Sequence, residues 1–583
     1  MGIFLKLSWF FKEQKKSYLL GVFYLVLVAI LNIIPPKIIG SLIDGIQQHR
    51  LTAQKLIFFL TVLTLVGVGQ YLFRYFWRSY IWGSSALLEK TMRTRLVTHF
   101  AAMDETFYQK YRIGDLMAHA TNDITAVQQV AGVGILTFAD SIITGISTIV
   151  AMMFFVNWRL TLIAIIPLPL LAMLSRVLGN IIHSAYDKAQ SEFSSINNKT
   201  QESILGIKVI KALGQEREDT KDFDVHVKEV IRANRRANFL DSLFDPMTSL
   251  IIGLAYVATI ILGGHFVINN TITIGQLVSF ISYIGILIWP MFAIGRLFNI
   301  IELGSASYNR IQLLLAERSK ITEAFNPVTK APHGNVNYEI TEFKYPDSNE
   351  MGLKQIRFKI KSGQILGIVG KTGAGKSTIL KLFLRQFDSY DGSIKVGDID
   401  IRDYKLDTYL PSIGYVPQNS ILFSTTVLEN IRFAKPDASI AEVEKAAFIA
   451  DLHDDILKLP DGYQTQVGEQ GISLSGGQKQ RLAIARALIL NPEILILDDS
   501  LSAVDAKTEN HILKRVKELR ADKTTIIVAS RLSSVVSAQE IIVIKDGRID
   551  QRGTHTSLIS EQGWYEQTYK MQQLEQQMEG GDS

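Results

Sequence analysis

Up to about residue 300 the apolar side chains come in long, nearly uninterrupted stretches; beyond residue 335 they come in short runs bounded by glycine, proline and polar residues. A bilayer core of ~30 Å needs ~20 apolar residues per helix. Six stretches meet that length, near residues 17–39, 56–80, 131–156, 160–180, 246–268 and 273–295. The third and fourth are separated only by "NWR" and the fifth and sixth by "NNTIT", which predicts two tight hairpins on one side of a membrane. The other links are long and keep a helical apolar period, so they are expected to continue the spans as helices. After the polar segment "AERSKITEAFNPVTKAPHG" the short β-rich runs alternate with helical patterns, the mark of an α/β domain.

Charge fixes the orientation. One long link carries Lys90, Arg93, Arg95, Lys110 and Arg112, the other Lys188, Lys208, Lys211, Arg217, Arg235 and Arg236. The positive-inside bias puts both links, and with them both termini, in the cytoplasm of a cell whose plasma membrane the spans cross. The net charge of +5 and pI of about 8.9 therefore reflect membrane topology rather than nucleic-acid binding. A length of 583 residues exceeds one compact core, and the mean hydropathy of +0.17 is concentrated in the first half. No cysteine is present, which excludes disulfides and thiolate metal sites. The start "MGIFLKLSWFFKEQKK" is short, amphipathic and lysine-flanked, an interfacial helix rather than a cleavable signal, and it lacks the hydroxyl residue of a myristoylation motif.

Ionisable residues inside spans carry a default functional suspicion. Asp140 lies mid-span and faces either a cavity or a helix-to-helix hydrogen bond, whereas Asp241, Asp245, Arg296 and Glu302 lie near span ends. Met152, Met153, Phe154, Phe155, Phe280, Tyr283, Trp289 and Phe292 are candidates for a greasy substrate cavity, against the alternative of lipid contact or packing. Each cytoplasmic link holds a stretch that can turn sideways: "YRIGDLMAHATNDI", where Gly114 is expected to break the helix and Asp115 to cap the next, and "SSINNKTQESILGIKVIKALGQE", with Glu202.

The chemistry sits in the second half. Residues 365–378 read "ILGIVGKTGAGKST", a strand, then G-x-x-x-x-G-K-S, then a helix. Gly370, Gly373 and Gly375 let the backbone N–H groups of Lys371, Thr372, Ala374 and their neighbours converge on phosphates, Lys376 reaches the outer phosphates, and Ser377, followed by Thr378, offers a hydroxyl to Mg²⁺. In "ILILDD" the carboxylate of Asp498, at a strand end, is placed to hold Mg²⁺. Between these motifs stands "LSGGQKQRLAIARAL" at residues 474–488, for which an ordinary P-loop ATPase has no use.

On these motifs the chain resembles, over essentially its whole length, an ATP-binding cassette (ABC) exporter half-transporter. The resemblance implies a multi-domain membrane protein: a transmembrane domain of six α-helices at 1–316, a linker at 317–334, a P-loop α/β cassette at 335–570 and a tail at 571–583 with nothing functional to claim. It implies that Tyr345 stacks on adenine, that Gln418 senses Mg²⁺, and that Ser475, Gly476, Gly477 and Gln478 touch the γ-phosphate of ATP held by a second cassette. Glu469 falls near the coupling region, Asp505 in the loop crossing the dimer seam, and the two sideways stretches resemble coupling helices.

Two positions depart from the family pattern. Asp499 stands where the catalytic base is usually glutamate, and Ser530 where the switch is usually histidine. Aspartate is one methylene shorter, and a misplacement of ~1 Å can cost ~100-fold in rate; serine has no imidazole. With the holding residues intact, the expectation is a site that binds ATP and cleaves it poorly, in a heterodimer whose other chain carries the glutamate and histidine. The resemblance implies a bacterial multidrug exporter for hydrophobic or amphipathic compounds. The competing readings are a lipid or peptide exporter, the peptide version weakened because no peptidase domain precedes the first span, and an ATP-sensing regulatory subunit that does not transport.

Overall fold

The computed structural model describes residues 2–346, 351–468 and 474–580. The chain forms two compact units, Met1–Ala101 with Arg112–Glu317, and Ala102–Tyr111 with Arg318–Ser583.

The first unit is all helical. Among the described residues five helical runs are long and apolar enough to cross a membrane: Lys15–Gln47, Ala53–Ala101, Ile113–Ile165, Glu216–Ile268 and Ile274–Ala316. At ~1.5 Å per residue the 49-residue helix Ala53–Ala101 is more than twice a bilayer core in length, so the links do continue the spans as rods. The run Ile113–Ile165 doubles back at Asn157, whose extended backbone and side-chain carbonyl, accepting from Arg159 N–H and Leu160 N–H, start the returning helix. The expected fourth span is divided at Ile166 and Pro167 into Trp158–Ile165 and Leu168–Leu205. The latter soon becomes polar; with it the six-span exporter architecture is complete.

The first sideways element lies before the stretch expected for it, and the second lies inside its expected stretch. The first is Glu105–Lys110, capped by Asp104, whose carboxylate accepts from Phe107 N–H. Gly114 breaks nothing, and Asp115 sits inside the first turn of Ile113–Ala118, behind an Arg112 cap. An aspartate before a short helix is the stronger start signal, because its side chain satisfies an orphan N–H that glycine cannot. The second is Ile207–Leu213, closed by Gly214 at φ +65°, while Glu202 remains in the preceding helix. Lys199 and Ser203 pin the two legs of this turn by bonding Asp219, at 3.1 and 3.0 Å.

The second unit holds two sheets. β1 (Val336–Lys344), β2 (Met351–Ile360), β4 (Asp391–Val396) and β5 (Ile399–Asp400) form an antiparallel sheet in the order β2-β1-β4-β5. β3 (Ile365–Gly370), β6 (Ile413–Val416), β7 (Ile494–Asp498), β8 (Thr524–Val528), β9 (Glu540–Lys545) and β10 (Arg548–Gly553) form the second, in the order β10-β9-β3-β8-β7-β6. Its five strands from β9 to β6 are parallel and flanked by apolar clusters on both faces, which is why β3, β7 and β8 are buried at every residue. The segment expected as a linker belongs to this unit: Arg385 donates to the Thr322 carbonyl at 3.2 Å, and Val328 bridges to Tyr404.

Candidate functional site

β3 delivers the chain to Gly370, where φ is +149° and an added Cβ would stand 2.2 Å from the Ile544 carbonyl oxygen, so only glycine fits. Gly373 and Gly375, also at positive φ, fold Lys371, Thr372 and Ala374 into a loop that opens directly into the helix Lys376–Phe383. Converging N–H groups and a helix N-terminus make a concavity for anions. The Lys376 ammonium lies across it, donating to the carbonyls of Gly370 at 2.8 Å and Lys371 at 3.0 Å. Burial lowers the pKa of this lysine against the opposing pull of Asp499 and Asp498. Ser377 and Thr378 occupy the first helical turn, and the Thr378 hydroxyl is hydrogen-bonded to that of Tyr345 at 2.9 Å. The Tyr345 ring is held between Phe343 and Phe387, with Lys381 Nζ 5.9 Å from its centre.

Asp498 ends β7, buried, and accepts from the Tyr415 hydroxyl at 3.3 Å. Burial raises its pKa, the Tyr415 bond opposing and the neighbouring Asp499 adding to the rise. Asp499 itself takes a left-handed backbone at φ +46°, a conformation aspartate tolerates better than most residues, and its N–H donates to Val528 O at 2.7 Å. That turn aims its carboxylate at the segment after β8. Ser530 N–H donates to one oxygen at 3.1 Å and the Ser530 hydroxyl to the other at 3.2 Å, with Gln418 Nε2 at 3.5 Å. The three residues expected to act in hydrolysis thus meet, and the two that depart from the family pattern are bonded to each other.

The signature lies apart. Ser475 caps the helix Gly476–Leu488 in a reciprocal box with Gln478. Among the described residues, neither bonds to residues 370–378. A Cβ on Gly477 would reach to 3.0 Å from Ala503 O, and Gln480 ties the helix to Ser502 and Ala503 N–H. Asp505 caps the following helix Ala506–Leu519 through Thr508 N–H. Glu469 lies outside the described residues, as does the side chain of Arg296.

In the first unit Asp140 accepts from Thr144 one turn along the same helix, at 3.1 Å. The proposed greasy residues divide: Met152, Phe280 and Tyr283 are packed in the core, whereas Trp289 and Phe292, with Phe244 and Phe298, line a cavity of about 1430 Å³. Two residues escaped the sequence reading. Asp104 also accepts from the Ser319 hydroxyl and Lys320 N–H, tying the first sideways helix to the start of the cassette. Gln572, in the tail expected to be idle, lies on the helix Trp564–Gly580 and bonds to the backbone on both sides of Arg531. A cap residue was readable for the first; no local pattern announces the second.

Membrane-length helices joined to a P-loop cassette with a second, separate signature define a transporter driven by ATP. Residues 18–291 match the family "ABC transporter transmembrane region" and residues 353–502 the family "ABC transporter". The chain belongs to the ABC transporter family, as a multi-pass, ATP-hydrolysing exporter-type protein close to multidrug-resistance-like members. Over 576 residues it is 42% identical to YheI of Bacillus subtilis, named a probable multidrug resistance ABC transporter ATP-binding/permease protein, covering 99% of this chain and 98% of that one. It is 41% identical over 575 residues to MdlA of Escherichia coli, named a multidrug resistance-like ATP-binding protein, covering 99% and 97%. The fold matches that of a bacterial Atm1-family ABC exporter solved with ATP bound, with a TM-score of 0.77 at 24% identity over 96% of this chain and 98% of the other.

Proposed function

We propose that this chain is the weakly hydrolysing subunit of a heterodimeric exporter that moves hydrophobic or amphipathic compounds outward across the cell membrane, with its cassette in the cytoplasm. The observation that carries this reading is the closed pair of Asp499 and Ser530. A general base must have a free lone pair within hydrogen-bond reach of the attacking water. Here the carboxylate is one methylene short and is turned toward Ser530 by two hydrogen bonds, while the holding residues Tyr345, Lys376 and Ser377 keep the family's types. The residues suit the nucleotide: three glycines clear the loop for phosphates, and a buried Asp498 beside the loop gains from a cation that replaces lost water. Ser377, Gln418 and Asp498 would hold Mg²⁺, which spreads the charge of the phosphates. Ser475 and Gly477 are left to complete the site of a partner chain that carries glutamate and histidine. The names of the relatives support drugs as cargo.

The test is turnover of the purified chain alone against the chain mixed with its partner. The reading expects ATP binding with little phosphate release alone and brisk release on mixing. Equal release in both preparations would overturn it.

A further inference from the structure

The helix Trp564–Gly580 is fixed to the cassette at its start. Tyr565 is fully buried, its hydroxyl 2.8 Å from His555 Nδ1 and its N–H donating to Gln551 at 3.2 Å. Two turns later Gln572 meets the segment after β8. Its Nε2 donates to Ser530 O at 3.1 Å and its Oε1 accepts from Leu532 N–H at 2.9 Å. One side-chain amide therefore imitates a neighbouring strand, donating and accepting across a single residue. A flipped amide would set donor against donor, so the two bonds fix each other's orientation. The same segment is tied elsewhere by Arg531, which donates to Val504 O at 3.2 Å, and by Ser534, bonded to Glu509 of the helix behind Asp505. Leu532 is fully buried. The Ser530 side chain, at the exposed end, is thereby positioned from behind.

We propose that Gln572 is a positioning residue for nucleotide retention: by clasping the backbone at Ser530 and Leu532, the C-terminal helix holds Ser530 where it meets the terminal phosphate of ATP in this chain's own site. The inference rests on the proposed function and on Ser530, at the position where the family pattern has its switch, turning its hydroxyl from Asp499 to that phosphate when ATP is bound. Gln572 touches no nucleotide; it acts through the segment it holds. The effect is therefore specific to a nucleotide with a third phosphate.

The experiment follows release of ribose-labelled fluorescent ATP and ADP, chased with unlabelled nucleotide, from the full-length chain with Mg²⁺. Gln572→Met keeps the shape and removes both bonds; Gln572→Glu keeps the acceptor for Leu532 N–H and removes the donor to Ser530 O. Two lost hydrogen bonds predict ATP release about five-fold faster or more for Gln572→Met, with Gln572→Glu between it and the wild type and ADP release unchanged. Gln573→Met, on the exposed side of the same helix, controls for surface change and should match the wild type. Ser530→Ala separates the two layers of the argument. Faster ATP release with Ser530→Ala but not with Gln572→Met overturns the clasp alone. No change with either overturns the placement of Ser530 as well. Equal acceleration of ATP and ADP by Gln572→Met reduces the contact to packing and also overturns the proposal.

Discussion

The two ends of the nucleotide site differ in what their side chains are doing. At the loop after β3, glycines at positive φ clear space and Lys376 spans the mouth, so the groups that hold phosphate face the concavity. At the end of β7, Asp499 turns to Ser530 and the groups that would cut phosphate are occupied with each other. Holding needs many weak donors in a backbone that any sequence with the right glycines provides. Cutting needs one carboxylate at one distance. In the proposed function the second requirement is lost by one methylene while the first survives.

This contrast can be broken from the holding end with the largest effect. Replacing Lys376 by alanine removes a charged donor of more than one hydrogen bond and should weaken ATP binding by about 100-fold, read by equilibrium binding of labelled ATP to the full chain. The contrast is sharpened by repairing the cutting end. Asp499→Glu with Ser530→His in one chain should raise phosphate release of that chain alone by about ten-fold or more, since a positioned base contributes ~100- to 10,000-fold and the repair is partial. The single change Asp499→Glu should do less, because Ser530 still lacks an imidazole.

A smaller effect is expected where the first sideways helix joins the cassette. Asp104→Ala removes a helix cap and should cost about 1 kcal/mol of local stability, visible as a lower unfolding midpoint of the full chain. Burial alone would raise the pKa of Asp104, but hydrogen bonds from Thr106, Lys320, Phe107 and Ser319 outweigh it and leave it below the ordinary value. A carboxylate lowered on folding stabilises above its unfolded pKa of about 4 and loses that contribution as the pH falls through the folded value. The midpoint difference between wild type and Asp104→Asn should therefore hold from pH 7 to 5 and shrink below about pH 4.

The cassette was legible in the sequence because its signals are local: the loop glycines, Lys376 and Ser377 lie within eight consecutive residues and act there. The pairing of Asp499 with Ser530 was foreseen only as two separate departures. Their bond depends on β7 and β8 lying side by side, which no short stretch records. The membrane half announced its spans by length but not their breaks. Pro167 divides one apolar stretch, while Gly114, expected to end a helix, stands in the first turn of Ile113–Ala118. Gln572 was invisible for the same reason as the pair, since its partners lie about forty residues away in the chain, with separations of 40 and 42.

The central claim is that two unequal cassettes share the work, and it is tested most directly by crippling each in turn within the assembled pair. Replacing the partner's catalytic glutamate by glutamine should lower ATP turnover and dye efflux from vesicles by about 1,000-fold, whereas Asp499→Asn in this chain should change both by less than about three-fold. Equal losses from the two substitutions would contradict the account.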